Sequence, residues 1–451
     1  MLWSQNLSLL IAQRLEYQQN PLNFTDNKNK FMSNRIYLCL AHMSENGMEQ
    51  HYIKEAFDTN WVVPLGPNVN GFEKDLEAFV GEDKRVVALS AGTAAVHLAL
   101  LACGVGMGDE VMVQGFTFCA SSHPITYLGA TPVFVDSEAD SWNMDPQLLE
   151  EAIKDRIAKT GRKPKAIVPV ALYGMPYDID RIMEVADRYD IPVVEDAAEG
   201  FGSRWNGQVL GTFGKYGVLS FNGNKMITTS GGGALVCPDD ASWQHIMFLA
   251  TQAREAYPYY QHETIGYNYR MSNICAGIGR GQMTVANDHI AHHKHIQKLY
   301  EEAFKNIDGI EVHCAPDERY DSNFWLCTVL LDEKLRIKGQ EEAYGAAVTG
   351  AVGGAGGVVH QSGSLHTDCE PNANVEALRV FLDKKGVEAR PLWKPMHRQP
   401  VYRNAPAYVN GVSESIFRRG MCLPSGPCVT DEDVQYIIET IKSSILFIIY
   451  K

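Results

Sequence analysis

Three short segments hold the residue types from which a reaction centre could be assembled: "SFNGNK" (220–225), "VVEDAAE" (193–199) and "SAGTAA" (90–95). The first ends on Lys225, at a turn that follows a buried strand. Most lysines in such places are simply solvated. One whose surroundings favour the free amine can instead attack an aldehyde. Asp196 stands where an apolar run ends, and a carboxylate there is costly without a partner. That partner is either the backbone of a following helix or a protonated heteroaromatic nitrogen, which a carboxylate keeps cationic. In "SAGTAA", Gly92 permits a tight turn and a helix begins at about Thr93. Its free amides and the Thr93 hydroxyl make either an ordinary cap or an anion site. Ser220, five residues before Lys225, can face the same anion. The nearby "TTSGGG" (228–233) admits a close backbone approach or merely makes a bend.

Positioning such groups requires a frame. From about residue 85 to 240, short β-branched runs such as "RVVALS", "DEVMVQ", "TPVFVD", "KAIVPV" and "IPVVEDAA" alternate with helix-length segments. Near-continuous apolar strands with helical crossovers mark a sheet covered on both faces, so the fold class is α/β with a mostly parallel, doubly wound sheet. Ligands of such sheets lie beyond the carboxyl ends of the strands. After a long helix predicted over 286–307 the elements shorten, which divides the chain into a large domain (32–285) and a smaller α+β C-terminal domain (286–451). "GAAVTGAVGGAGGVVHQSGS" (345–364) is too rich in Gly and small residues to build a core and reads as a surface-loop insertion. Residues 1–31 lack the layout of a secretory signal and are expected to be a disordered tail or an over-called gene start.

With 45% hydrophobic and 21% charged residues, the composition is that of a globular chain. A net charge of −14 argues against nucleic acid as the main partner. No apolar run approaches the length of a membrane span. The ten cysteines stand singly, without a CxxC pair, which suits a reduced, cytoplasmic setting and calls for no metal.

A Gly/Thr helix start, an Asp at a strand end and a Lys after a later strand stand in the order used by fold type I pyridoxal-phosphate (PLP) enzymes. Together with "GDEVMVQGFTFCASSHPI", "GATPVFVD", "ALYG" and "GYNYRMSN", they carry a specific likeness. The chain resembles the DegT/DnrJ/EryC1/StrS family of nucleotide-sugar aminotransferases from about Ile36 to Ile441. A finer likeness, in "SFNGNKMITTSGGG", "TQARE", "RPLWKPMH" and "CLPSG", is to bacterial transaminases that make UDP-N-acetylbacillosamine precursors.

The resemblance implies roles. Lys225 is the Schiff-base lysine and proton shuttle, Asp196 pairs with the pyridinium nitrogen, and Glu199 lies near the ring hydroxyl. Thr93, Ala94 and Ser220 hold the phosphate, and Phe118 stacks on the ring. Asn268 reaches the phosphate of a neighbouring subunit with Arg270 close by, which implies a homodimer with shared sites. Arg390, Lys394 and His397 are candidates to meet the sugar diphosphate. The implied reaction moves the amino group of L-glutamate to the C4 ketone of a UDP-4-keto-6-deoxy-N-acetylhexosamine. A 3-keto nucleotide sugar and a non-catalytic PLP-binding regulator are the alternatives. A sugar 3-dehydratase on this scaffold would replace the lysine with histidine, so Lys225 speaks against it.

Overall fold

The structure, a computed structural model, describes residues 35–446 except residue 82 and residues 341–368. The expected N-terminal tail and the Gly-rich insertion therefore lie outside the described residues. From Tyr37 onward the described chain forms one compact unit.

Helix α1 (Pro67–Val80) leads into strand β1 (Arg85–Leu89), and α2 (Gly92–Ala102) follows at once. Strands β2 (Glu110–Gln114), β3 (Thr131–Val135), β4 (Ala166–Val168) and β5 (Val194–Asp196) come next, followed by β6 (Tyr216–Ser220) and β7 (Gly233–Cys237). Helix α3 (Ala286–Phe304) opens the second part of the chain. There β8 (Ile310–Val312), β9 (Cys327–Leu331), β10 (Arg390–Pro391), β11 (Ala407–Tyr408) and β12 (Gly420–Leu423) follow.

One four-stranded piece has the order β1–β7–β6–β5, and a second has β4–β2–β3–β11. Parallel bridges Ile167–Val193 and Val170–Asp196 join them edge to edge. Only β7 runs against its neighbours; the other pairings are parallel. The expected mostly parallel sheet is thus observed. Alternate residues along its strands feed two separate cores. Val86, Ala88, Met112 and Val133 belong to one, and Val87, Leu89, Val113 and Phe134 to the other. Full burial of each Val, Leu, Met or Phe side chain is worth roughly 1.5–3 kcal/mol. This is why the strands read as continuous apolar runs rather than alternating ones. Strands β8, β9, β12 and β10 form a separate antiparallel sheet in that order. Among the described residues, no helix is long and apolar enough to cross a membrane.

Candidate active site

The carboxyl ends of β1, β5 and β6 open on one cavity of about 520 Å³. Its lining includes Ser90, Gly92, Thr93, Phe118, Asp196, Glu199, Ser220, Lys225, Trp325, Arg390 and Trp393. All three segments singled out by residue type therefore meet in one place. A larger, more open cleft of about 830 Å³ lies at the opposite, amino ends of the strands and contains none of them. Its size is no guide to chemistry, because its lysines and arginines are exposed surface groups.

The anion end is built from backbone. Helix α2 begins at Gly92 behind an extended Ala91, and no side chain caps it. Its first amides are left for another acceptor. A Cβ on Gly92 would sit 3.0 Å from Ser220 Cβ, and one on Gly233 would fall 2.4 Å from the Gly92 nitrogen. Only glycine at both positions lets β6, β7 and the helix start close around one small group. Thr93 and Ser220 line the cavity here, while Ala94 is buried beside them in the helix.

Asp196 occupies the end of β5, 4% exposed. Ser121 Oγ donates to its Oδ2 at 2.6 Å, and the Ala198 amide donates to Oδ1 at 3.2 Å. Thr117 Oγ1 lies 2.8 Å from Ser121 Oγ and completes the chain. Burial pushes the Asp196 carboxyl up, and these hydrogen bonds hold it back only in part. Lys225 lowers it from a distance but pairs with Glu199, so among the described residues no cation touches this carboxylate.

Lys225 Nζ donates to Glu199 Oε1 at 3.0 Å and lies 4.0 Å from the centroid of the Trp325 ring. Glu199 Oε2 accepts from the Tyr173 amide at 2.8 Å. Burial raises the Glu199 carboxyl, while Lys225 and the Tyr173 amide pull the other way. Tyr173 makes this bond from a left-handed backbone (φ 53°), and its hydroxyl accepts from the Trp393 amide at 3.0 Å. A non-glycine residue in that region stores on the order of 1 kcal/mol.

The remaining candidates separate. Phe118 is 53% exposed and tilts against Trp393 at 5.4 Å between centroids. Arg390 lines the cavity and binds Glu388 Oε1 through Nε at 2.9 Å and Nη2 at 2.6 Å. Lys394 and His397 are not among the lining residues. His397 Nε2 faces Glu414 at 3.3 Å. Arg270 is committed within the chain: Nη1 binds Glu73 and also donates to the Ala88 carbonyl at 3.0 Å. Asn268 is exposed, bridged to Thr251 away from the cavity. Residue types alone did not single out Tyr173, Ser121, Asn323 or Trp325, which act through contacts far apart in the chain.

A sequence profile of the DegT/DnrJ/EryC1/StrS aminotransferase family matches residues 44–350 and 355–442. The chain belongs to this family. EpsN of Bacillus subtilis, assigned as a pyridoxal phosphate-dependent aminotransferase, is 42% identical over 415 residues, covering 91% of this chain and 96% of its own. The GDP-perosamine synthase of Escherichia coli O157:H7 is 34% identical over 407 residues, covering 90% and 98%. Among solved structures, Spr1654 of Streptococcus pneumoniae in its PLP form, assigned as a sugar aminotransferase, superposes with a TM-score of 0.75. It is 25% identical and covers 91% of this chain and 98% of its own. The family member described here is thus a sugar aminotransferase of PLP-dependent fold type I.

Pyridoxal phosphate makes three separate demands: an amine for its aldehyde, a partner for its ring nitrogen and a cradle for its phosphate. Lys225, the under-partnered Asp196, and the uncapped α2 start with Thr93 and Ser220 meet them within one cavity. The residues present fit the cofactor.

Proposed function

We propose that this enzyme moves the amino group of L-glutamate to the C4 ketone of a UDP-4-keto-6-deoxy-N-acetylhexosamine, in the cytoplasm, for bacterial glycan assembly. The observation that carries the reading is the meeting of Lys225 Nζ and the buried Asp196 in one cavity with Arg390 in its wall. Bound pyridoxal phosphate supplies the electron sink that accepts the electron pair left when a C–H bond beside the nitrogen breaks. Lys225 Nζ would take the proton from the glutamate α-carbon in the first half-reaction and, in the reverse sense, deliver a proton to the sugar's C4 in the second. Asp196, held by Ser121 through Oδ2, would keep the ring nitrogen protonated. Glu199 holds Lys225 in reach. The α2 amides at Thr93 and Ala94, with Ser220, would hold the phosphate, and Phe118 would pack against the ring. The balance is L-glutamate plus keto sugar to 2-oxoglutarate plus amino sugar, in two half-reactions that predict ping-pong kinetics.

Arg390, in the cavity wall, would meet the sugar diphosphate; Lys394 and His397 would join it only if the segment around them shifts toward the cavity. Asn268 and Arg270 lie on the part of the chain that would approach a second subunit, Asn268 toward that subunit's phosphate site. The division near residue 285, into a larger cofactor-carrying part and a smaller C-terminal part, belongs to the same reading. The separate antiparallel sheet formed by β8, β9, β12 and β10 supports it.

Mass spectrometry of products from a panel of 4-keto and 3-keto nucleotide sugars with L-glutamate tests the assignment. Amination of the UDP-linked 4-keto-6-deoxy sugar is expected. Amination of a 3-keto sugar alone would overturn the substrate and leave the transaminase standing. No turnover of any sugar or of glutamate would favour a binding protein without catalysis.

A further inference from the structure

A lysine on a four-carbon stem has many rotamers, and an amine that must act repeatedly on the same atoms cannot use most of them. Two groups confine Lys225. One is the Glu199 carboxylate; the other is the face of Trp325, 2% exposed, at a distance well inside cation–π range. Trp325 itself cannot turn. Its indole N–H donates to the Asn224 carbonyl at 2.6 Å, its amide donates to Asn323 Oδ1 at 2.8 Å, and its carbonyl accepts from Ser425 Oγ at 2.9 Å. The Asn323 side-chain Nδ2 donates at 2.9 Å to the carbonyls of both Glu199 and Phe201. One buried asparagine therefore ties together the two groups that hold the ammonium.

The flanks are pinned as well. His289 Nδ1 bonds the Met226 carbonyl and His293 Nδ1 the Phe324 carbonyl, each at 3.2 Å. Both histidines lie on α3, one turn apart, so a single helix face anchors the residue after Lys225 and the residue before Trp325.

We infer that Trp325 is a positioning residue whose ring face parks the Lys225 ammonium whenever that lysine is not bonded to the cofactor. The inference rests on Lys225 being the reacting amine. The indole face and the Glu199 carboxylate hold Nζ at the cavity wall from which it takes and returns the substrate proton, and the buried ring keeps bulk water from it.

The test is brief labelling of the cofactor-free protein with acetic anhydride, with the Lys225 peptide quantified against that of exposed Lys54. In Trp325→Leu, Lys225 is expected to label roughly tenfold faster than in wild type. Trp325→Phe keeps a ring face but loses the indole N–H, and should stay within about twofold of wild type. Equal labelling in wild type and Trp325→Leu would overturn the inference. So would a Trp325→Phe variant that behaves like Trp325→Leu, since the bond to Asn224 would then carry the effect. In the loaded enzyme, Trp325→Leu should lower kcat about tenfold with KM for the sugar within about twofold. The labelling needs neither cofactor nor substrate. Persistence of the cofactor–lysine absorbance in Lys225→Ala would instead sink the reading beneath it.

Discussion

A carboxylate kept in a dry site for a partner that arrives later is held at the expense of the empty protein's stability. Asp196 is such a group: burial raises it, and Ser121, the Ala198 amide and the more distant Lys225 charge offset that only in part. A raised acid contributes stability that is present at low pH and lost as pH climbs through its shifted value. Asp196→Asn removes that loss while keeping the shape. The cofactor-free variant should therefore melt at or above the wild-type temperature near pH 7. Its turnover should fall about a hundredfold or more, because the ring nitrogen loses its anion. A drop in both would mean that Asp196 is chiefly structural. At this scale Asp196 and Lys225 were legible from residue type and order. Tyr173 and Trp325 were not: their contacts with Glu199 and Lys225 join segments that a single sequence gives no reason to bring together.

Elements decide where those side chains stand, and here the histidines of α3 matter. His293 is fully buried and neutral, and burial pushes it down to about 3; a carbonyl partner requires that its Nδ1 carry the hydrogen. His313, stacked on Trp142, is pushed down to about 4. Groups lowered in this way contribute stability that is full above the unfolded value near 6.5 and is lost as pH falls toward the folded value. Each should cost about 2 kcal/mol by pH 5, and His293→Gln should flatten the acid side of a plot of melting temperature against pH. Arg270 gives a second element-level outcome. Arg270→Ala strands Glu73 in α1 without its cation, so denaturant titration should show a loss of about 3–5 kcal/mol. A change confined to substrate KM would contradict that placement. The strands were readable because full burial on both faces leaves an unbroken apolar run. Helix α3 was readable in length, but not the use of its histidines, since the carbonyls they hold lie in loops elsewhere in the chain.

Across the whole molecule, Trp61, Val62, Leu65, Tyr259, Tyr260 and Ile265 are exposed apolar residues, and the proposed second copy would cover them. If Asn268 completes the partner's site, Asn268→Ala and Lys225→Ala should each be inactive alone. Mixing them should restore about a quarter of wild-type activity, because half the dimers are hybrids carrying one intact site. No recovery on mixing would confine each site to one chain. The family was legible in the sequence because its motifs sit at the strand ends that build the cavity, whereas the surface offered to a partner has no comparable signature in residue type. The absorbance of the PLP-loaded protein on addition of L-glutamate decides whether Lys225 is the reacting amine. Wild type should show the cofactor–lysine band and lose it as glutamate is consumed, and Lys225→Ala should never show it. An identical, unchanging spectrum in both proteins would contradict the account.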